Sequence, residues 1–312
     1  MSTIETGKSI LADTPGPPSV RHIVGAYLSL CKLRIVELLL ISAVPTLFAA
    51  SGGIPSITAF LAVTLGGTCA AASAGAFNCV IDRDVDQLME RTRHRPLARH
   101  QVGPRAALLF ATALCLISVG IFLALANPLA AVLALCAIGH YALVYSLLLK
   151  RRTPQSTLWG GVCGSAPVLI AWAAATGSLS WTALSLFLVV FFWQPPHFWA
   201  LAVKYQDDYA RAGIPVLPVV ASTRRVLTES VVHSWLMVLS SVAVWPLAPT
   251  TPLYGVSSMA LGGVFLFQVH GLHKAARSGH EPQTMRLFHT SILYLTLLFL
   301  TLAADSLLRH GS

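Results

Sequence analysis

Long apolar runs separated by short polar intervals make up most of this chain. Nine of them, 33–50, 57–77, 106–126, 129–149, 158–176, 181–203, 227–246, 253–270 and 287–308, are each about long enough to cross a bilayer as a helix. Glu37 places an acidic side chain inside the first of them. None alternates with the period of two that a membrane β-barrel needs, so the pattern predicts an all-α, polytopic, nine-transmembrane-helix bundle. Residues 1–20 carry Pro15, Pro17 and Pro18 and no apolar period. They are expected to be a disordered tail, with residues 21–312 forming a single membrane domain. Neither the apolar stretch of a cleaved signal nor an arginine-rich presequence pattern is present in that tail.

One interval breaks the pattern sharply. Directly after the second run, residues 78–97 hold three aspartates and four arginines. Asn78, Asp82 and Asp86 are spaced by four, so on a helix each is turned only about 40° from the last and the three share one face. Asp84 points the other way. Ionised carboxylates at a membrane boundary are costly and mark a functional site by default. Oxygen side chains gathered on one face suit a hard cation, and Mg²⁺ held by few carboxylates commonly also holds substrate phosphates. The bland alternative is a helix end whose charges are solvated at the interface.

A second acidic cluster follows the sixth run: Lys204, Asp207 and Asp208 within Lys204-Tyr205-Gln206-Asp207-Asp208-Tyr209. Lys204 and Asp208 would share a helical face, which by itself is only a surface ion pair. Together the two clusters read as opposite walls of one pocket at the same membrane depth.

Composition agrees with the run pattern: 55% hydrophobic, 11% charged, mean hydropathy +0.70. The net charge of +9 could suggest nucleic acid, but its distribution says otherwise. The N-terminal segment through Arg34, the 78–105 interval, Lys150 to Arg152, Lys204 to Arg225 and Lys274 to Arg286 hold 20 of the 21 Lys and Arg residues, and Arg309 is the exception. The intervening turns have none. With nine spans those segments lie on one membrane face, which the positive-inside rule makes cytoplasmic, leaving the C-terminus outside. The six cysteines form no Cys-x-x-Cys and are expected to be small buried hydrophobes. A transporter for an anionic substrate would place charge near the bilayer midplane, whereas this chain places it at one face.

The row Asn78-x-x-x-Asp82-x-x-x-Asp86 resembles the signature of the intramembrane aromatic prenyltransferase (UbiA) superfamily. The row's full string, Asn78-Cys79-Val80-Ile81-Asp82-Arg83-Asp84-Val85-Asp86, and four further strings resemble its protohaem IX farnesyltransferase (haem O synthase) branch. The four are Arg91-Thr92-Arg93-His94-Arg95-Pro96-Leu97, Arg152-Thr153-Pro154-Gln155, Pro195-Pro196-His197-Phe198-Trp199, and Asp207-Asp208-Tyr209 through Gly213-Ile214-Pro215. Together they extend the likeness over about residues 25–305.

That resemblance implies a nine-helix UbiA-type bundle in the bacterial cell membrane with a cytoplasm-facing site. There the farnesyl group of farnesyl diphosphate would join a vinyl group of haem b, with Mg²⁺ as cofactor and haem A synthase as a candidate partner. By resemblance Asn78, Asp82 and Asp86 hold Mg²⁺, and Asp207 and Asp208 bind a second metal or orient Lys204. Arg83, Lys150, Arg151 and Lys204 are placed to clamp diphosphate oxygens. Lys204 stands where the wider superfamily has the first Asp of a second Asp-x-x-x-Asp, leaving open whether two metals or one and an ammonium neutralise the leaving group. His197 is expected to contact haem, ahead of His140, His233, His270 and His289. Phe77, Phe191, Phe192, Trp193, Phe198 and Trp199 are either ordinary packing or a dry wall around an allylic cation. A UbiA-type enzyme acting on a quinone precursor is the alternative.

Overall fold

The computed structural model describes residues 19–310, so residues 1–18 of the expected tail lie outside the described residues. Its last two positions are ordered. Ser19 caps, and Val20 begins, a helix over Val20–Leu30 that the run pattern did not show. This helix is amphipathic: Val20, Ile23, Val24 and Leu28 are exposed, whereas Ala26 and Leu30 pack with Ala76, Cys79 and Ala107. It has the character of a helix lying in the membrane interface rather than crossing it.

Among the described residues, nine helices are long and apolar enough to span a membrane, and all nine expected runs are among them. In chain order they are Leu33–Ser51, Ile57–Ile81, Pro104–Leu125, Pro128–Leu149, Ser156–Thr176, Trp181–Lys204, Thr223–Leu247, Pro252–Arg277 and Thr284–Arg309. The chain is a multi-pass membrane protein. The second, seventh and eighth spans run four to seven residues past their apolar runs at the basic end, because helices continue through charged side chains once these reach water. The turns at the opposite end are short, and Gly52 and Gly177 close the first and fifth spans in the left-handed conformation that suits glycine (φ 64° and 66°).

The spans pack as two groups. The second to fourth gather around Ala62, Phe122 and Ala134, and the sixth to ninth around Leu186, Met237, Tyr254, Phe265 and Phe299. The first and fifth spans contact both groups. Asp305, fully buried, accepts the backbone N–H of Thr251 at 3.0 Å and so ties the start of the eighth span to the end of the ninth.

Of the six cysteines, all unpaired, only Cys31 and Cys79 are buried. Cys69, Cys115 and Cys163 are half-buried and Cys136 is exposed. The expectation of buried small hydrophobes fails for four of them because apolar side chains in a membrane protein can face lipid instead of a core.

In lipid, small residues let helix backbones approach closely. Gly262 of the eighth span does this: a Cβ there would lie 2.6 Å from Cγ1 of Val238 in the seventh. Val238 is β-branched and has little rotameric freedom to yield. Gly262→Ala is therefore expected to destabilise the folded protein by about 1–3 kcal/mol. A thermal melt in detergent measures this, with Gly262→Ala/Val238→Ala recovering part of the loss.

Candidate active site

The second span ends at Ile81, and Asp82 takes a non-helical conformation (φ −91°, ψ 4°). The backbone nevertheless keeps helical spacing across the break: the N–H of Asp82 donates to Asn78 O at 2.9 Å and that of Asp86 to Asp82 O at 2.8 Å. The expected row survives although the helix does not. All three side chains are buried, Asp82 completely, and Asp84 faces out as expected.

Burying carboxylates requires compensation. Asn78 Nδ2 donates to Asp82 Oδ2 and to Ser146 Oγ, both at 2.8 Å. Lys150 Nζ pairs with Asp82 Oδ2, and Lys32 Nζ donates to Asn78 Oδ1. Arg95 Nη1 reaches both oxygens of Asp86 at 2.8 Å. Arg151 binds both oxygens of Asp84 at 2.7–2.8 Å and approaches Asp82 Oδ1 to 4.0 Å. Its guanidinium holds the Asp84 carboxyl down at a pKa of about 2. Four cations thus surround three carboxylates, leaving a surplus of positive charge.

The fourth span delivers two of these partners through a local change of helix type. Over His140–Leu149 it is a π-helix, in which Lys150 N–H donates to Tyr145 O at 2.8 Å and Ser146 Oγ to Tyr141 O at 2.8 Å. Such wider turns are common at functional sites because they rotate the following side chains. The fifth span makes room: a Cβ on Gly160 would come within 2.5 Å of the Tyr145 ring.

Lys32, Arg95 and Ser146 were not legible as site residues in the sequence. Lys32 sits in the break before the first span with φ 52°, a left-handed backbone uncommon outside glycine and typical of functional strain. Gly75, one turn before Asn78, lets that break come close, since a Cβ there would lie 3.1 Å from the Leu30 carbonyl oxygen. A lone lysine flanked by apolar helices was the available signal. Burial pushes its pKa down to about 8.

The second cluster is arranged differently from the expectation. The sixth span stops at Lys204, and Gln206–Arg211 begins a separate short helix. The Lys204–Asp208 pair therefore does not form. Lys204 is exposed, its Nζ 5.7 Å from the Tyr205 ring centroid. Asp208 instead pairs with Arg211 and accepts the Arg91 backbone N–H at 3.2 Å. Arg91 Nη2 also donates to Tyr209 Oη at 3.3 Å. Below these contacts Val85 and Met89 pack with Tyr209, Ile214 and Val216. The two polar loops therefore lie on one face and touch. Asp207 is exposed, as is Arg83, whose Nη1 donates to Val80 O at 3.4 Å.

Deeper in the sixth span, His197 is stacked between Trp193 and Phe288, with centroids 4.2 and 4.5 Å away. Its Nδ1 meets Ser291 Oγ at 2.7 Å. Trp199 packs edge-on to His233 at 5.4 Å and Phe192 lies 6.2 Å from the same ring. Phe191 stacks on Phe187 at 6.0 Å, and Phe198 meets Tyr209 edge-on at 6.0 Å.

The site can receive a cation. Asp82 Oδ1 is buried and has no hydrogen-bond partner, and a carboxylate oxygen is an acceptor only. No group of three or more His, Cys, Asp or Glu side chains is gathered closely enough to hold a metal unaided among the described residues. A hard cation sharing few carboxylates with a phosphate ligand matches that donor set.

The sequence profile of the UbiA prenyltransferase family matches residues 39–292. The chain belongs to the UbiA prenyltransferase family. This UbiA prenyltransferase is 53% identical over 290 residues to the protoheme IX farnesyltransferase of Salinispora tropica, covering 93% of this chain and 91% of that one. It is 48% identical over 293 residues to that of Nocardioides sp., covering 93% of each. Its fold matches a solved digeranylgeranylglyceryl phosphate synthase with TM-score 0.75 at 15% identity, over 91% of this chain and 99% of that one. It also matches a UbiA homologue of Archaeoglobus fulgidus solved with DMAPP and Mg²⁺, with TM-score 0.65 at 19% identity over 90% and 99%.

Because the Lys32 ammonium is present below pH 8 and lost above it, kcat/KM for prenyl transfer is expected to fall as pH rises through about 8. Lys32→Arg, whose guanidinium stays charged, is expected to abolish that alkaline limb. A pH profile with the same limb in Lys32→Arg as in wild type would remove Lys32 from the site's working charge.

Proposed function

We propose that this prenyltransferase transfers the farnesyl group of farnesyl diphosphate to a vinyl carbon of haem b, giving haem O and diphosphate. The observation that carries this reading is the buried Asn78–Asp82–Asp86 row inside a surplus of cations, in a chain about half identical to proteins named protoheme IX farnesyltransferase.

The reaction breaks the bond between farnesyl C1 and the diphosphate oxygen, which keeps the electron pair. The vinyl carbon bonds to C1, and water adds the hydroxyl and releases a proton. Lys150, Arg151 and Lys32, gathered on Asp82, Asp84 and Asn78, would stand against the charge that develops on the leaving group, and fixed charges placed in advance are the strongest form of such stabilisation. Lys204 and Arg83, both exposed, would close on diphosphate from the water side. Mg²⁺ when bound supplies positive charge against the departing diphosphate. Asn78, Asp82 and Asp86 would hold it, the Asp82 oxygen without a partner being the strongest argument, while Asp207 and Asp208 are the candidates for a second ion. His197 would face haem through Nε2, since Nδ1 is engaged by Ser291. It lies seven residues before Lys204, roughly 10 Å down the helix, below the phosphate end of the site.

The positive-inside asymmetry supports a bacterial cytoplasmic membrane orientation with the N-terminus and site inside and the C-terminus outside. Haem A synthase would be the enzyme to receive the product. The tail and the membrane domain would divide near residue 20.

Purified protein with haem b, farnesyl diphosphate and Mg²⁺ is expected to yield a product heavier by farnesyl plus a hydroxyl, detected by mass spectrometry. Asp82→Asn and Asp86→Asn are each expected to lower turnover by about 10² or more while the protein still inserts. Farnesylation of a quinone precursor with no haem product would overturn the acceptor assignment. His197→Ala is expected to weaken haem retention, read as loss of the Soret band on purification. An unchanged band would place haem elsewhere.

A further inference from the structure

A second basic concavity, of about 640 Å³, lies at the end of the eighth span and is lined by His270, His273, Lys274, Arg277 and Ser278. None of these belongs to the Asp82 site. Arg224 at the start of the seventh span adds charge beside His273. No ion pair engages Arg224, Lys274 or Arg277 among the described residues. Glu229, the acid nearest in sequence on the seventh span, is turned about 100° from Thr228, the residue that faces His273.

The cluster is built rather than incidental. Trp235 Nε1 donates to His270 Nε2 at 3.0 Å, which leaves the proton of His270 on Nδ1 as a free donor. Thr228 Oγ1 meets His273 Nε2 at 3.2 Å. One turn towards the bilayer from His270, Phe267 is 84% exposed. Val264 lies beside it and Leu239 on the neighbouring span, 64% and 58% exposed. Cationic and imidazole donors at a helix end thus continue directly into an aromatic and aliphatic strip that faces lipid, with a tryptophan at the boundary.

We propose that this surface binds a phospholipid whose head group carries net negative charge, with phosphate against His270, His273, Lys274 and Arg277 and an acyl chain along Trp235 and Phe267. Basic pockets beside spanning helices select anionic head groups in this way. The apolar strip distinguishes a lipid from free phosphate, which would leave it unused.

The full-length protein, purified in detergent and exposed to an equal mixture of phosphatidylglycerol and phosphatidylcholine, tests the proposal by native mass spectrometry. Phosphatidylglycerol is expected to be retained preferentially. Lys274→Gln/Arg277→Gln is expected to cut its retention by about five-fold per charge, roughly 25-fold together, with phosphatidylcholine unchanged. Arg99→Gln/Arg105→Gln, which removes two exposed charges elsewhere on the same face, is expected to leave retention intact. Equal retention of both lipids would overturn the proposal. So would an equal loss in both double variants, which would mean diffuse surface charge, or displacement of the lipid by millimolar inorganic diphosphate, which would mean a soluble anion site. A thermal melt confirms that each variant is folded.

Discussion

A fully buried carboxylate at the end of a membrane helix is the constraint around which the polar half of this protein is arranged. Burying a carboxylate there requires partners, and removing one partner from a buried pair typically costs about 3–5 kcal/mol. Its partners come from separate parts of the chain: Asn78 from its own span, Lys150 and Arg151 from the end of the fourth, and Lys32, through Asn78, from the break before the first. The ends of three spans are therefore held in position by the electrostatics of one side chain. This is also why the second group of spans, the sixth to ninth, can be packed mainly by apolar contacts while the first group carries the charge.

Backbone irregularities bring those partners within reach. An ordinary α-helix through 140–149 would rotate Ser146 and Lys150 away from their observed positions, and the π-helix restores the facing at the cost of weaker hydrogen-bond geometry. The left-handed backbone at Lys32 costs of order 1–3 kcal/mol and is tolerated because the Asn78 amide holds its ammonium. Gly75 and Gly160 remove the side chains that would block either approach. One left-handed residue and two close-approach glycines thus serve the buried acids.

This arrangement explains which features the sequence could reveal. Hydropathy depends on length and composition, so the nine spans and the basic face are readable, with discrepancies only where helices extend into water. The Asn78, Asp82, Asp86 spacing is local and survives the end of its helix. Lys32 and Arg95 are a different matter: each gains its role from a partner 46 and 9 positions away, through a bend no local pattern encodes. The Lys204–Asp208 spacing misleads for the converse reason. The i, i+4 rule assumes a continuous helix, and the chain breaks at Tyr205. The interfacial helix was missed because its 11 residues, with Arg21 and His22 in the first turn, are too short and too polar to read as a span.

The contrast between Asp82 and Asp208 divides the two loops by chemistry. Asp208 has both oxygens engaged, one by Arg211 and one by the Arg91 backbone, and Arg91 in turn lies 5.9 Å from the Tyr209 ring centroid. Each of those oxygens keeps a second lone pair, so an ion at Asp208 would have to sit beside Arg211 and the Arg91 backbone. Asp82 keeps one buried oxygen without a hydrogen bond, Arg151 approaching it only to 4.0 Å, and buried polar atoms are seldom left so. Asp208 thus joins the 82–103 and 205–222 loops over the apolar contact of Met89 with Tyr209 and Ile214, whereas Asp82 is the acid with an oxygen that makes no hydrogen bond. Lys204, released from its expected partner by the helix break, is an exposed cation beside that junction, its ammonium 5.7 Å from the Tyr205 ring centroid.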